Sequence, residues 1–268
     1  NQDMLRIYGD GWYESVDYSL VNVRDRNILH VMPVEKSWGT DYLRFGVNLQ
    51  SDFKEDSTFT LRAAYDKTWL NSLGGELLVG AEIGRTNQLG IDLYQPLDAR
   101  QRYFVESGLS YGKETMGFYQ DDHKLADYEM FRGVASLGAG VNVGQLGQLH
   151  AGWRKRWLEY DLTTGIPSFI FPDSATGTSS GAYLALDFDQ MDRLYFPTSG
   201  WSARFGYFNS PNEDYGKLTI DLHGAYALDD YVLNAKFSYQ GSLRGTLPIY
   251  DAGTLGGFHN LGGFAPNQ

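Results

Sequence analysis

From about Tyr42 to about Arg244 the chain repeats one pattern: large apolar residues alternate with polar residues or glycine. Leu43, Phe45, Val47 and Leu49 interleave with Arg44, Gly46, Asn48 and Gln50. Phe59, Leu61, Ala63 and Tyr65 interleave with Thr60, Arg62, Ala64 and Asp66. A period of two puts the two sets on opposite faces of a β-strand. A soluble sandwich also alternates, but it closes its core with strands of ~5–6 residues. These segments run to ~9–12 residues or more, the length a tilted strand needs to cross a bilayer. The expected fold is therefore all-β: a transmembrane antiparallel β-barrel, apolar outside and polar inside.

Composition narrows the classes further. No stretch is long and apolar enough for a transmembrane helix. The mean hydropathy of -0.37 would suggest a soluble chain, but half of every barrel strand faces a wet lumen, so the value does not discriminate. A net charge of -11 argues against a nucleic-acid partner, which would need a basic stripe. With no cysteine there is no disulfide framework and no thiolate metal site. Asn1–Leu20 lacks the basic and apolar regions of a signal peptide, which an outer-membrane protein requires; the chain is expected to be a processed or partial polypeptide.

The first ~38 residues differ from the rest. Tyr13–Val21 alternates like a strand, Asn22–Arg26 is a polar turn, and Ile28–Val34 is a second strand in which Pro33 suggests an edge or a bulge. About eleven strands follow: Asp41–Asp52, Thr58–Trp69, Glu76–Arg85, Leu89–Gln95, Arg102–Tyr119, Leu125–Val143, Gln148–Asp161, Ala182–Gln190, Gly200–Asn209, Tyr215–Leu228 and Tyr231–Arg244. Their connections alternate between a tight set and a variable set that includes the long polar stretch Thr163–Gly181. Barrels have short periplasmic turns and longer outside loops, so the variable set is expected outside. Candidates for the interfacial aromatic girdles are Tyr42, Trp69, Tyr94, Tyr103, Tyr183, Tyr195, Phe196, Trp201 and Tyr231. One strand fits poorly. In Leu149, Ala151, Trp153, Lys155, Trp157 the apolar face is broken by Lys155, and a charge at mid-bilayer costs roughly 2–4 kcal/mol. Lys155 lies above the membrane, or the strand bulges, or the register shifts by one.

Few motifs carry chemistry. Gly177-Thr178-Ser179-Ser180-Gly181 matches the serine-hydrolase elbow, but that elbow needs a strand before it and a helix after it. Here a polar loop precedes and an alternating strand follows, so a flexible outside loop is expected. His123, His150, His223 and His259 show neither metal spacing nor a base-and-orienter pair. The acidic cluster Asp187, Asp189, Asp192 could attract calcium, but a solvated turn is the better reading. Arg62, Arg154, Arg156 and Arg204 are expected to line a wet lumen. Two motifs stand out. In Phe196-Pro197-Thr198-Ser199-Gly200-Trp201, Pro197 presets a turn and Gly200 releases the chain into the next strand. The glycine-dense Gly256–Phe264 follows the last strand and could fold back inside the barrel.

These two motifs resemble those of the superfamily of outer-membrane assembly factors and two-partner secretion transporters. Its periplasmic-turn signature is similar, with loose spacing, to Asp189, Asp192, Phe196, Pro197, Thr198, Gly200 and Trp201. Its lid-loop tetrapeptide corresponds to Leu261, Gly262, Gly263 and Phe264. Within the superfamily, Glu35–Gly46, Thr68–Glu76 and Tyr94–Asp98 are most similar to the C-terminal barrel of patatin-like phospholipase autotransporters. The resemblance implies that residues 1–38 end a periplasmic POTRA domain and residues 39–268 form an outer-membrane barrel. The family barrel has sixteen strands, so about eleven are expected here, with the chain stopping inside the lid loop. The family's lid-loop arginine is Gly262 in this chain, so its usual lock to a barrel acid cannot form, and the lid is expected to dock by shape.

The expected function is a translocator in the bacterial outer membrane, its N-terminal segment in the periplasm. It would anchor and secrete or display a passenger polypeptide, a patatin-like phospholipase encoded upstream, with Gly262, Gly263 and Phe264 setting gating. The alternatives are a general outer-membrane assembly and insertion factor, then a porin or barrel enzyme. An enzyme would need a convergent Ser/His/acid cluster at one rim, and a porin an unplugged lumen. No catalysis, cofactor or metal is expected of this chain. Its partners would be outer-membrane lipid and the passenger; its oligomeric state is left open.

Overall fold

The computed structural model describes residues 13–23, 26–35, 41–51, 57–84, 86–120, 123–165, 173–193, 196–248 and 251. β1 (Tyr13–Val23) and β2 (Arg26–Glu35) form a separate antiparallel ribbon. Pro33 sits opposite Val16 in regular register, and the one irregularity falls between Tyr13 and Ser15. Both strands of such a ribbon are edges, the place in a sheet where a proline is tolerated.

The remaining strands form one sheet: β3 (Asp41–Ser51), β4 (Ser57–Lys67), β5 (Glu76–Gly84), β6 (Thr86–Pro96), β7 (Tyr103–Gln120), β8 (His123–Asn142), β9 (Gly147–Gly165), β10 (Ser174–Asp189), β11 (Gly200–Ser210), β12 (Tyr215–Leu228) and β13 (Tyr231–Arg244). These are eleven strands, each paired antiparallel to its sequence neighbour, with no crossover. The all-β meander expected from the alternation is what forms. Among the described residues β3 and β13 are its two unpaired edges.

The two faces follow the period of two. Leu43, Phe45, Val47 and Leu49 are all exposed, Leu49 at 77%. So are Leu61, Leu89, Leu109, Leu137, Leu184, Leu222 and Phe237, each on the convex face of its strand. A continuous belt of bare leucine, phenylalanine and valine is stable only against lipid. The other face is concave and polar. Glu106 on β7 accepts a hydrogen bond from Tyr183 on β10 at 2.7 Å. In a flat sheet strands three apart lie ~14 Å from each other, so the sheet must curl to bring these side chains together. At Gly138, between them on β8, a Cβ would sit 2.2 Å from the Tyr183 hydroxyl, so this position has room only for hydrogen.

The structure corrects two expectations and narrows a third. First, Thr163–Gly181 is not one long loop. β9 continues to Gly165 and β10 begins at Ser174, so Gly177–Gly181 lies within a strand. The small side chains there hid the alternation. The asymmetry between the two ends of the sheet therefore arises from strand length: β7 to β10 run to 16–20 residues and project beyond one end, while other strands have 9–14. Second, Tyr42, Tyr94 and Tyr183 belong to the concave face and are not girdle residues. Tyr42 pairs with Asp66, Tyr94 with Glu106, and Tyr183 is buried. Trp69, Tyr103, Trp201 and Tyr231 are exposed as a girdle requires, and Tyr195 lies outside the described residues. Third, Lys155 is on the lipid-side face, paired regularly with Ala135 and Ser180, with no bulge or slip beside it. It stands eight residues beyond Gly147, which begins β9 at the tight-turn end. With a rise of ~3.3 Å and a tilt near 40°, that is about 20 Å up an apolar band about 25 Å tall. Its ammonium packs 5.1 Å from the Trp157 ring, at the upper rim.

Candidate functional site

The turn between β10 and β11 gathers the first sequence motif. The hairpin closes through Gln190 N to Trp201 O (2.8 Å) and Asp192 N to Ser199 O (3.1 Å). Asp192 organises the tip. Its Oδ1 accepts from the backbone N–H of Thr198 (2.9 Å) and Ser199 (3.1 Å), and its Oδ2 from the Thr198 hydroxyl (2.5 Å). The Thr198 hydroxyl, with the Ser199 and Thr198 amides, holds the Asp192 carboxyl down to about 2. Asp189 Oδ1 accepts from Met191 N (2.9 Å). Phe196 is 90% exposed with φ +53°, and Pro197 follows it. Gly200 has φ +113°, and a Cβ there would lie 2.1 Å from the Gln190 carbonyl. Trp201 then points outward, edge-on to Phe188 at 6.4 Å. Gln190 Nε2 donates to Gln145 O (2.8 Å), tying this turn to the one between β8 and β9. The described motif residues thus meet in one hydrogen-bonded turn. The three acids considered for calcium have separate uses, since Asp187 points into the lumen.

Asp187 belongs to the first of two clusters on the concave wall. His150 lies between two carboxylates: Nδ1 is 2.7 Å from Glu106 and Nε2 is 3.1 Å from Asp187. Tyr183 donates to the same Glu106 oxygen, and the Arg154 guanidinium covers the Tyr183 ring at 4.5 Å. Arg204 approaches Asp187 at 3.7 Å. Four strands, β7, β9, β10 and β11, are joined by this one polar network. Nearer β3 the wall carries ion pairs between neighbouring strands, Arg44 with Asp66 and Arg62 with Glu82.

The second cluster centres on Arg156. Its Nε donates to Ser179 Oγ (3.0 Å), and its guanidinium lies 4.4 Å from the Phe208 ring. It also donates to the Tyr215 hydroxyl. Onto this platform comes Asp251, from the chain beyond β13. Its carboxylate accepts from Arg156 Nη1 (3.1 Å) and Nη2 (2.7 Å), from the Tyr215 hydroxyl (2.8 Å) and from Lys217 Nζ (2.9 Å). The chain after β13 therefore meets the wall through charge at Asp251; the lid loop expected to dock by shape, Leu261–Phe264, lies outside the described residues. The Ser179 hydroxyl is buried and bonded to a guanidinium, so its serine-hydrolase motif meets no base among the described residues.

The Omp85 superfamily domain matches residues 71–268, which include the turn, both lumen clusters and the segment after β13. The chain belongs to the Omp85 superfamily. No individually curated protein matches it. Among solved structures it resembles BamA from Haemophilus ducreyi lacking POTRA domains 1–3, with a TM-score of 0.67 and 16% identity. The alignment covers 98% of this chain and 53% of that one, so this chain spans about half the length of its structural relative. An Omp85 barrel is a transport and assembly fold, not an enzyme, and its place is the bacterial outer membrane.

For an Omp85 chain the lid-loop residues Leu261, Gly262, Gly263 and Phe264 are of first interest; they lie outside the described residues. The turn motif was legible because Pro197 and Gly200 are strong local signals. The Arg156 platform was seen only as one more lumen charge, and Asp251 was not singled out. One signal existed: Asp251 is a lone acid after the apolar run Leu247-Pro248-Ile249-Tyr250, inside an otherwise glycine-rich segment.

Proposed function

We propose that this chain is the membrane-embedded translocator part of a longer outer-membrane polypeptide that anchors a passenger and secretes or displays it, the passenger being a patatin-like phospholipase encoded upstream. One observation carries the reading: the concave wall is polar and structured, and the chain leaving β13 turns back to bind it at Asp251. A lumen holding a segment of its own chain suits controlled passage of a polypeptide better than free diffusion through a porin. The lid-loop residues Gly262, Gly263 and Phe264 are the proposed gating elements, and Phe264→Ala is expected to impair secretion.

The lipase assignment rests on the similarity of Glu35–Gly46, Thr68–Glu76 and Tyr94–Asp98. The latter two stretches are bonded turns: Asn71 Nδ2 donates to Gln95 (2.6 Å), and Asp98 accepts from the amides of Arg102 and Tyr103. Their support is thus kinship of architecture. The proposed domains are the end of a POTRA module in residues 1–38 and the barrel in 39–268. The β1–β2 ribbon exposes Leu20, Ile28 and Leu29, an apolar surface that two strands cannot bury unaided. Unpaired edges in hydrocarbon leave each backbone group unsatisfied by several kcal/mol, so further strands, sixteen in all, are proposed to close β3 and β13.

A second reading, a general outer-membrane assembly and insertion factor, is favoured by the likeness to BamA. The test is the intact mass of the native polypeptide, captured from outer membranes with an antibody to residues 166–173, between β9 and β10. A mass well above 30.1 kDa with a hydrolase upstream supports the lipase translocator. Repeated periplasmic modules without a hydrolase favour the assembly factor. A mass of 30.1 kDa overturns the sixteen-strand proposal.

A further inference from the structure

We infer that the Arg156–Lys217–Tyr215 recess is a preformed carboxylate site in the lumen wall, and that Asp251 occupies it as an internal ligand, forming a latch that holds the chain after β13 against the barrel. The inference rests on reading the concave face as the wall of a membrane lumen, and it is independent of the passenger's identity.

The recess is built without help from Asp251. Arg156 is fixed from β10 by Ser179, whose side chain is fully buried, and from β11 by the face of Phe208. Tyr215 at the start of β12 is fully buried, its ring 6.1 Å from that of Phe208. Lys217, two residues further along the same strand, adds a second cation to the recess. A planar guanidinium, an ammonium and a phenol hydroxyl converge there, all able to donate. Such a set selects a carboxylate, because the fork of arginine matches its two oxygens. Asp251 fits: each oxygen takes two of these donors, and its backbone carbonyl takes a further bond from Lys217 Nζ (2.8 Å).

The approach of the ligand is also shaped. Gly245, one residue beyond β13, has φ +61°, and the chain folds inward from it. Leu247 then packs on the Tyr183–Phe208–Tyr215 cluster, and the Pro248 carbonyl accepts from Asp251 N (2.9 Å). Release of the carboxylate would leave two cations facing the lumen beside Arg154 and Tyr183, which line the same recess. An acidic side chain on a polypeptide crossing the lumen has the chemistry to replace Asp251 there. The latch is therefore exchangeable: a carboxylate in transit competes with the one that holds the segment in place.

These 268 residues hold no cysteine, so the test is clean once any cysteine elsewhere in the full-length protein is replaced by serine. A single cysteine replaces Leu247 in the full-length protein, reconstituted in liposomes, and its labelling by a water-soluble maleimide is timed. The labelling rate follows the population in which the segment has left the wall. Asp251→Asn is expected to raise it about tenfold or more, the scale set by losing charge-assisted hydrogen bonds, while Asp251→Glu stays near the parent rate. Lys217→Met leaves Asp251 in place and is expected to raise the rate several-fold. Adding a glutamate-rich peptide to the parent is expected to speed labelling, and an uncharged glutamine-rich peptide to leave it unchanged. Folded Asp251→Asn or Lys217→Met protein that labels at the parent rate overturns the latch. Equal effects of the two peptides overturn the exchange. If planar-bilayer recordings of the same protein show no conductance even in Asp251→Asn, the reading of the concave face as a membrane lumen fails, whatever the labelling result says of the latch.

Discussion

Asp192 shows how much one exposed side chain can do in a turn. It replaces backbone partners for Thr198 and Ser199 and fixes the Thr198 hydroxyl. Asp192→Asn keeps the size but weakens every bond. The β10–β11 turn of this variant is expected to be cut faster by protease in detergent than the parent turn. The pH dependence has a definite sign. The native carboxyl titrates near 2, below the usual unfolded value of about 3.9. Its contribution is therefore complete above about pH 4–5 and is lost as the pH falls through about 2. Proteolysis of the turn by an acid-active protease should rise over that interval in the parent and stay flat in Asp192→Asn. Gly200 fails for a different reason: at φ +113° with a carbonyl 2.1 Å from any Cβ, Gly200→Ala forces the backbone to move. The expected loss is about 1–3 kcal/mol, measured as a lower urea midpoint for unfolding in detergent.

At the scale of a strand, position along the membrane normal decides what a charge costs. Lys155 rides near the upper rim beside Trp157, where its stem covers apolar surface and its head reaches water. Lys155→Leu should change stability by less than about 1 kcal/mol. On the same face of the same strand, Ala151→Lys places the charge close to the middle of the band and should cost about 2–4 kcal/mol. Unfolding of both variants in lipid vesicles checks the contrast. β9 was legible because Leu149, Ala151 and Trp153 mark its outer face at a spacing of two, with Trp157 four residues further on. The first half of β10 was not: Gly177, Ser179 and Gly181 face the lumen and alternate with outward Thr178 and Ser180. A strand whose inner residues are small so that Arg156 and its neighbours can close over them reads, from sequence, like a loop.

At the scale of the whole sheet, the two faces should be separable by single-cysteine scanning. Cysteine at Val47, Ile91, Leu137 or Phe237 is expected to be shielded from aqueous maleimide and reached by lipid-borne quenchers. Cysteine at Asn48, Gln88 or Ser238, on the opposite face, is expected to behave the other way. The same pattern across all four lipid-side positions would confirm that one curved sheet, not two packed layers, separates lipid from water. Equal aqueous labelling of both sets would rule out the membrane-spanning arrangement.

The alternation of residue types by itself determined the number of barrel strands here, their antiparallel order and which face meets lipid (though not the first half of β10), because a period of two is a local property that survives without knowledge of partners. It also determined the β10–β11 turn, since Pro197 and Gly200 restrict the backbone wherever they stand. What the tertiary structure alone decided was which polar residues meet. Curling the sheet brings Glu106 to Tyr183 and Arg156 to Tyr215 across strands three apart, and brings Asp251 back from beyond the last strand. Those meetings depend on the radius of curvature and on the path of a returning chain. Both are set by the whole sheet together, and neither leaves a periodic trace in the sequence.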